Sequence, residues 1–508
     1  YVGTPAATLR FAGMSLSTEE RISLFSKSFS ISWNSPETHS LSWQIDTGTG
    51  WTSAASAGLG AATSSNATSS TLTLNSGSVL PSLRVRAVTQ TGVALPPILL
   101  KVIPPIIRYV RSDAPAGGNG LTWATAYRDP FEALAKVPSI GVEIWIARGT
   151  YDKDPSYDTR LIPGVALFGG FAGTETSLSQ RALDSGNPTL IRWYFTISSG
   201  PLAVNGVRLE NNLFSRQIAL DGLKLDITSV TNGAVFQAEG GGGIIRNCDF
   251  VTQNGYAVRL RNSSATFENC TFTGGTSSAV VITGGNPIFR SCGFTGNSNQ
   301  QAGGAITINT GAEVLIDRGL FTNNRSQASG GAIYNSGGLL TVLNSTFAGN
   351  HAERGGAIYD IGGLKMVNST LTANTATTAG GGIYAQGAAS IANTILWANR
   401  TPADIVASAT EIERDQIDTY SGAVTIQNSI VEGLHAYTGN DNLPYDPLFS
   451  GSLGAPYTLT AASPAINRGV LTLLDELAPV AGYPGRLSGN TIDIGAYEFS
   501  GTPQTPVQ

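Results

Sequence analysis

Between residues 222 and 396, short apolar runs alternate with polar positions, and one short phrase returns seven times. The copies are Ile245-Arg-Asn-Cys-Asp-Phe250, Phe267-Glu-Asn-Cys-Thr-Phe272, Phe289-Arg-Ser-Cys-Gly-Phe294, Ile316-Asp-Arg-Gly-Leu-Phe321, Val342-Leu-Asn-Ser-Thr-Phe347, Met366-Val-Asn-Ser-Thr-Leu371 and Ile391-Ala-Asn-Thr-Ile-Leu396. Their third residues fall at 247, 269, 291, 318, 344, 368 and 393, steps of 22, 22, 27, 26, 24 and 25. A helical repeat of this length would space its apolar residues three and four apart; these alternate, so the elements are strands. A fixed period in the twenties with strand patterning predicts a β-solenoid. About ten coils at about 4.8 Å each would make a rod on the order of 50 Å long.

Each phrase reads as a corner. Phe267 ends one strand pointing inward, Asn269 makes the turn, and Cys270 and Phe272 point inward from the next strand. Asn tolerates the left-handed conformation of a sharp turn and can bond to its copy one coil away. Asn247, Asn269, Asn344, Asn368, Asn393 and Asn428 are therefore expected to form a turn ladder. Asn297, Asn324, Asn350, Asn374 and Asn399 form a second one at the next corner, and Gly-Gly pairs open the following strand. Cys248, Cys270 and Cys292 share one repeat position, which predicts a buried thiol stack rather than disulfides or a metal site.

The flanking regions differ. Strand-like runs at Ser28–Trp33, Ser40–Ile45, Ser70–Leu74, Leu83–Val88 and Ile98–Val102 predict a small sandwich over residues 1–103, packed around Trp33 and Trp43. The central Trp43 and the Thr71-Leu-Thr-Leu74 and Leu83-Arg-Val-Arg86 runs resemble bacterial immunoglobulin-like modules. Residues 104–107 read as a Pro linker. An amphipathic helix within 123–137 and the strand Val142–Ala147 predict a cap over 108–151 for a solenoid occupying 108–437. Residues 400–423 read as an irregular insertion, 438–499 as a C-terminal region, and 500–508 as a tail.

Composition narrows the picture further. Charged residues are only 13%, hydrophobic residues 41%, Gly numbers 61 and the net charge is −5. That suits an all-β chain with a substantial core and offers no basic patch for nucleic acid. No apolar run reaches the roughly 18–20 residues of a membrane helix. A start at Tyr1 with no charged-then-apolar leader implies a secreted chain whose signal peptide is already removed.

The runs Asn119-Gly-Leu-Thr-Trp-Ala-Thr-Ala126, Ile144-Trp-Ile-Ala-Arg-Gly-Thr-Tyr151 and Phe168-Gly-Gly-Phe-Ala-Gly-Thr-Glu175 resemble secreted bacterial right-handed parallel β-helix proteins of the pectin-lyase-like fold. Asp446-Pro-Leu-Phe449, Ser463-Pro-Ala-Ile-Asn-Arg-Gly469 and Ile492-Asp-Ile-Gly-Ala-Tyr-Glu-Phe499 are similar to the choice-of-anchor Q region of such proteins. Gly303-Gly-Ala-Ile306, Gly330-Gly-Ala-Ile333 and Gly355-Gly-Ala-Ile358, alternating with Phe321-Thr-Asn-Asn324 and Phe347-Ala-Gly-Asn350, look like the tetrapeptides of chlamydial polymorphic membrane proteins. The resemblance implies a cell-surface protein.

Many such folds cleave polysaccharides. Hydrolysis needs two carboxylates across the sugar; elimination needs an Arg or Lys base and a cation. The aligned outward column is Arg259, Val281, Thr307, Tyr334, Tyr359 and Tyr384, with one arginine and no carboxylate. Asp360 stands alone and is assigned to a turn, and His39, His351 and His435 are far apart. No catalytic residue, cofactor or metal is therefore expected. Tyr334, Tyr359 and Tyr384 form an exposed strip that either stabilises adjacent strands or offers a platform to glycan or protein. The expected function is a non-catalytic, extracellular, cell-surface rod that assembles with copies of itself. The alternatives are a polysaccharide-binding adhesin and a polysaccharide lyase or hydrolase.

Overall fold

The computed structural model describes residues 105–137, 142–153, 159–161, 165–183, 186–194, 205–210, 218–228, 234–402, 408–470 and 492–499, with ten short strands between residues 10 and 103. Each of the five strand runs expected in that first region coincides with an observed strand to within one residue at either end. Glu19–Ser23, Ile98–Ile103, Leu83–Thr89, Leu41–Asp46 and Trp51–Ser53 lie in that order in one sheet, the first pair parallel and the rest antiparallel. Ser28–Ser32, Ser69–Thr73 and Ala62–Ser65 form a second, antiparallel sheet. Trp43 and Ile45 are buried while Ser42 and Gln44 are not, as strand alternation requires. Trp33 lies outside the described residues, as does the tail 500–508.

From Ile106 the chain coils into an all-β solenoid whose strands pair in parallel. Sheet 1 has twelve strands, from Ile106–Val110 to Val424–Gln427. Sheet 2 has eleven, from Gly149–Lys153 to Ile430–Val431, and sheet 3 has ten, from Thr159–Leu161 to Ile417–Thr419. In the middle coils a fourth sheet of four short strands, from Ser298–Asn299 to Thr375–Ala379, bridges sheets 2 and 3. The linker assigned to 104–107 is shorter than expected, because Ile106 and Ile107 already pair with Val142 and Glu143 in sheet 1.

Stacking builds the core. Phe250, Phe272, Phe294, Phe321 and Phe347 occupy one inward column of sheet 2, their ring centroids 5.2, 4.6, 4.5 and 4.5 Å apart and nearly parallel. Leu371 and Leu396 continue the column. Each ring is fully buried, and burying such a side chain is worth about 1.5–3 kcal/mol. The Gly-Gly pairs have a steric origin. Gly330, Gly355 and Gly380 hold φ of 60–65°, and a β-carbon on Gly331 or Gly356 would overlap the carbonyl oxygen of the glycine one coil on.

Both ends are closed. Near the start, Asp129 caps helix α1 (Pro130–Lys136) by accepting from the Phe131 N–H, and Phe131 and Leu134 seal the first coil. The helix is shorter than the 123–137 window because Trp123–Thr125 forms a separate 3-10 turn. The stretch 400–423 proves to be a coil in disguise. Helix α2 (Ala409–Gln416), capped by Ser408 and Glu411, leads into Ile417–Thr419, which joins sheet 3. Leu434 and Tyr437 then pack over the last coil.

The C-terminal region docks sideways on sheet 2. Leu459, Ala465 and Ile494 bury Ile395 and Ile430 on its outer face. Asn393 exchanges two hydrogen bonds with the main chain of Val470, and the Ala496 N–H donates to Thr370 Oγ1. Asp493 clamps the segment by accepting from the Asn467 and Phe499 N–H groups.

Candidate functional site

The column in which chemistry was sought runs in register through sheet 3 as Gln237, Arg259, Val281, Thr307, Tyr334, Tyr359, Tyr384 and Asp418. The strand period turns these residues outward. Outward is not exposed, however, and the expected open strip of tyrosines is corrected: Tyr359 and Tyr384 are each only 7% exposed, and Tyr334 is half-buried. The rings cover one another, with centroids 5.4 and 5.1 Å apart. Arg354 from the fourth sheet lies 6.0 Å over Tyr384, and Gln386 Nε2 donates to the Tyr359 hydroxyl at 2.9 Å. Burial, reinforced by the neighbouring phenols, pushes the Tyr359 pKa up. Earlier in the same sheet Arg259 lies over Tyr256 at 4.7 Å, and Arg261 pairs with Glu239 at 3.3 Å.

Asp360 is likewise corrected. It sits inside the solenoid, in the inward column of sheet 3, one coil beyond Asn335. Asn335 Nδ2 donates to its Oδ1 at 2.6 Å, while Oδ2 has no hydrogen-bond partner. Burial raises its pKa to about 6, despite the opposing bond from Asn335.

The asparagines sort into two devices. At the first corner, Asn247, Asn269, Asn344, Asn368, Asn393 and Asn428 all adopt φ between 47 and 53°, and Ser291 and Arg318 take the same conformation. Their side chains do not form one continuous ladder. Asn269 reaches Asn247 at 3.5 Å, but Asn247 and Asn344 donate to Asp221 and Asp317, and Asn393 is engaged by Val470. At the second corner the left-handed residue is the one before each asparagine: Gly296, Asn323, Gly349, Ala373 and Ala398. Freed from the turn itself, Asn297, Asn324, Asn350, Asn374 and Asn399 build an unbroken amide ladder. Each Nδ2 donates to the next Oδ1 at 2.8–2.9 Å and to a sheet-2 carbonyl from the preceding coil, and Gln416 of α2 takes the last place. Nothing in the repeat phrase points to Gln416, since the helix separates it from the periodic positions.

Cys248, Cys270 and Cys292 are buried, and each thiol lies 3.2–3.4 Å from the carbonyl two residues back. Ser345, Ser369, Thr394 and Ser429 make the same contact in later coils. His351 bonds Thr375, and the His435 N–H donates to Glu413 on α2, so these two histidines serve separate places; His39 lies outside the described residues.

Sequence reading missed the outer column of sheet 1 beside the first corner. It runs Tyr109, Trp145, Phe168, Asp221, Arg246, Glu268, Arg290, Asp317, Leu343, Val367 and Ala392. The aromatic start is sealed by Trp123 and Phe171, and Arg181 stacks on Phe168 at 5.6 Å. There the Glu175 carboxylate accepts from the Ala172, Gly173 and Thr174 N–H groups; burial would raise its pKa, but these bonds outweigh it and hold the group below its usual range. The middle alternates in sign. Asp221 is fully buried between Arg181 and Arg246, both at 2.6 Å. Its signal, one acidic or basic residue just before the corner, was present in the first four copies of the repeat phrase. Among the described residues no cluster of His, Cys, Asp and Glu could hold a metal ion, and no helix is long and apolar enough to cross a membrane.

Comparison with known proteins agrees with the coil. Residues 260–417 match the family model described as a right handed beta helix region. No curated protein matches the chain. Among solved structures, the family 28 exopolygalacturonase of Yersinia enterocolitica is similar at 11% identity over 79% of this chain and 96% of that one; its TM-score of 0.21 carries no argument.

Proposed function

We propose that this right-handed parallel β-helix is a non-catalytic structural or adhesive rod of the extracellular cell surface, working in company with copies of itself. The observation that carries the reading is the closure of the sheet-3 column. A polysaccharide approaching it meets Tyr359 and Tyr384 already buried against each other, Arg354 and Gln386. The acidic groups nearby are occupied with structure as well: Asp418 is held by Arg414, and Glu413 accepts from three successive backbone N–H groups at 435–437. Secretion, the similarity of 438–499 to a choice-of-anchor region and that of the tetrapeptides to polymorphic membrane proteins belong to the same proposal. So does an immunoglobulin-like head. Its support is strand order, since two sheets split as described above match the division of such a sandwich.

A depolymerisation assay tests the reading. Purified protein incubated with uronate and neutral polysaccharides should release no new ends. Cleavage that disappears in Arg259→Ala would overturn it in favour of the lyase or hydrolase reading. A glycan array separates the remaining alternative: binding lost on Tyr334→Ala, the half-buried end of the ring stack, would make the protein a carbohydrate-binding adhesin.

A further inference from the structure

The outer corner column of sheet 1 changes chemistry with its cover. Trp145 and Phe168 are buried at one end, and Leu343, Val367 and Ala392 at the other. Between them the column is charged: Asp221 and Asp317 are buried, and the face opens over the three residues that separate them. The side chains of Arg246, Glu268 and Arg290 are each about a third exposed, at 33, 34 and 30%. One column over, Ile244, Thr266, Ile288 and Leu315 are in register and only half-buried. The open strip is therefore a row of alternating sign beside a mostly apolar row.

We propose that this strip binds a second copy of the chain, with the two solenoids antiparallel. A two-fold axis lying in the contact plane along the strand direction, between the coils of Glu268 and Arg290, lays each column on its own copy and reverses the coil order. Glu268 then meets Arg290 of the second copy and Arg290 meets its Glu268, while Arg246 falls over the coil of Asp317, whose carboxylate is buried and held by Asn344. In the apolar row Ile244 meets Leu315 and Thr266 meets Ile288. Self-complementarity of this kind is what an isologous interface requires. The charges also select the orientation. With the axis along the solenoid instead, each residue would face itself, and arginine would meet arginine.

The ladder's own ion pairs, Arg246 to Asp221 at 2.6 Å and Arg290 to Glu268 at 3.5 Å, lie along the stack. A second copy adds opposite charge across it, turning a row into a checkerboard. Four coils at about 4.8 Å and two rows about 7 Å apart give a patch on the order of 20 by 10 Å, roughly 200 Å² on each copy and short of the roughly 1,000 Å² of a stable interface. The dimer is accordingly weak and salt-sensitive.

This inference rests on the self-association in the proposed function and can fail separately from the non-catalytic part. Sedimentation of the full chain from about 1 to 200 μM, at about 25 and 500 mM salt, is expected to show a dimer at low salt that weakens at least about tenfold at high salt. Arg290→Glu should leave a monomer at all these concentrations, with circular dichroism reporting that it is folded. Glu268→Arg with Arg290→Glu should restore the dimer in part, because the pair across the axis is re-formed with its signs exchanged. If Arg290→Glu fails to fold, the neutral Arg290→Gln takes its place and should weaken the dimer. A wild-type monomer throughout, or a dimer indifferent to these changes, overturns the proposal. A wild-type monomer without depolymerase activity overturns it while leaving the non-catalytic reading standing.

Discussion

Asp360 shows what one residue costs when it is sealed inside a solenoid. With one oxygen bonded to Asn335 and the other without a partner, its charged form is poorly solvated, and its pKa rises from 3.8 to about 6. The folded chain therefore holds this proton more tightly than the unfolded chain. Its contribution to stability is fully present below about pH 4, is lost as pH rises to about 6, and stays lost above that. Two pH units correspond to about 3 kcal/mol. Asp360→Asn keeps an acceptor for Asn335 and removes the charge. Denaturant unfolding should show the variant more stable by about 2–3 kcal/mol at pH 7.5 and close to wild type at pH 4. Equal gains at both values would mean that the carboxylate does not titrate as described.

The cysteines make the opposite case, because later coils already carry their replacements. Ser345 and Ser369 each donate to the carbonyl two residues back, the position in their own coils that the Cys270 thiol contacts in its coil. Cys270→Ser should change stability by less than about 1.5 kcal/mol, as for a volume-conserving exchange whose polar atom finds a partner. A larger loss in thermal unfolding would show that the thiol's apolar character matters to its phenylalanine neighbours.

Among the elements, the amide ladder carries the most concentrated polar bonding. Removing one rung by Asn350→Ala strands the Asn324 main-chain and side-chain donors and takes the Asn350 amide from the Phe321 carbonyl in a dry interior, while Asn374 Oδ1 keeps the main-chain N–H of residue 350. Each orphan costs about 1–3 kcal/mol, so a loss of at least 3 kcal/mol is expected. Asn247→Ala at the more accessible first corner should cost clearly less, and denaturant titration of the two variants side by side checks the order.

This contrast also marks how far the sequence could be read. Alternation and period identified strands, corners and the inward Phe and Cys columns, because each depends on neighbours at fixed spacing. That the second-corner asparagine is not itself the left-handed residue depends on a backbone choice one position earlier, filled variously by Gly, Asn and Ala. Burial of Tyr359 and Tyr384 was illegible for another reason: Arg354 and Gln386 cover them from other segments, and a strand's period gives direction without giving cover. Helix α2 hid a coil because helical spacing replaced the repeat phrase while Ile417–Thr419 kept its place in sheet 3.

At the scale of the molecule, the C-terminal region behaves as a wall. Its residues Leu459, Ala465 and Ile494 cover outward Ile395 and Ile430, so ending the chain at Asn442 would leave an apolar sheet face in water. The truncated chain should aggregate or unfold at a lower temperature, as static light scattering and calorimetry would register. A soluble truncation with unchanged unfolding would make the block an independent appendage.

The amide ladder has one more consequence, which concerns length. Each rung donates forward and accepts from behind, and the series ends only because Gln416 imitates an asparagine from a helix. Nothing in a rung records its distance from either end. A gene that gained or lost one whole repeat between Asn324 and Asn374 would encode a rod longer or shorter by a single step, with every junction chemically the same. Reach is thus a quantity that such a chain can change by duplication alone, without inventing a new contact.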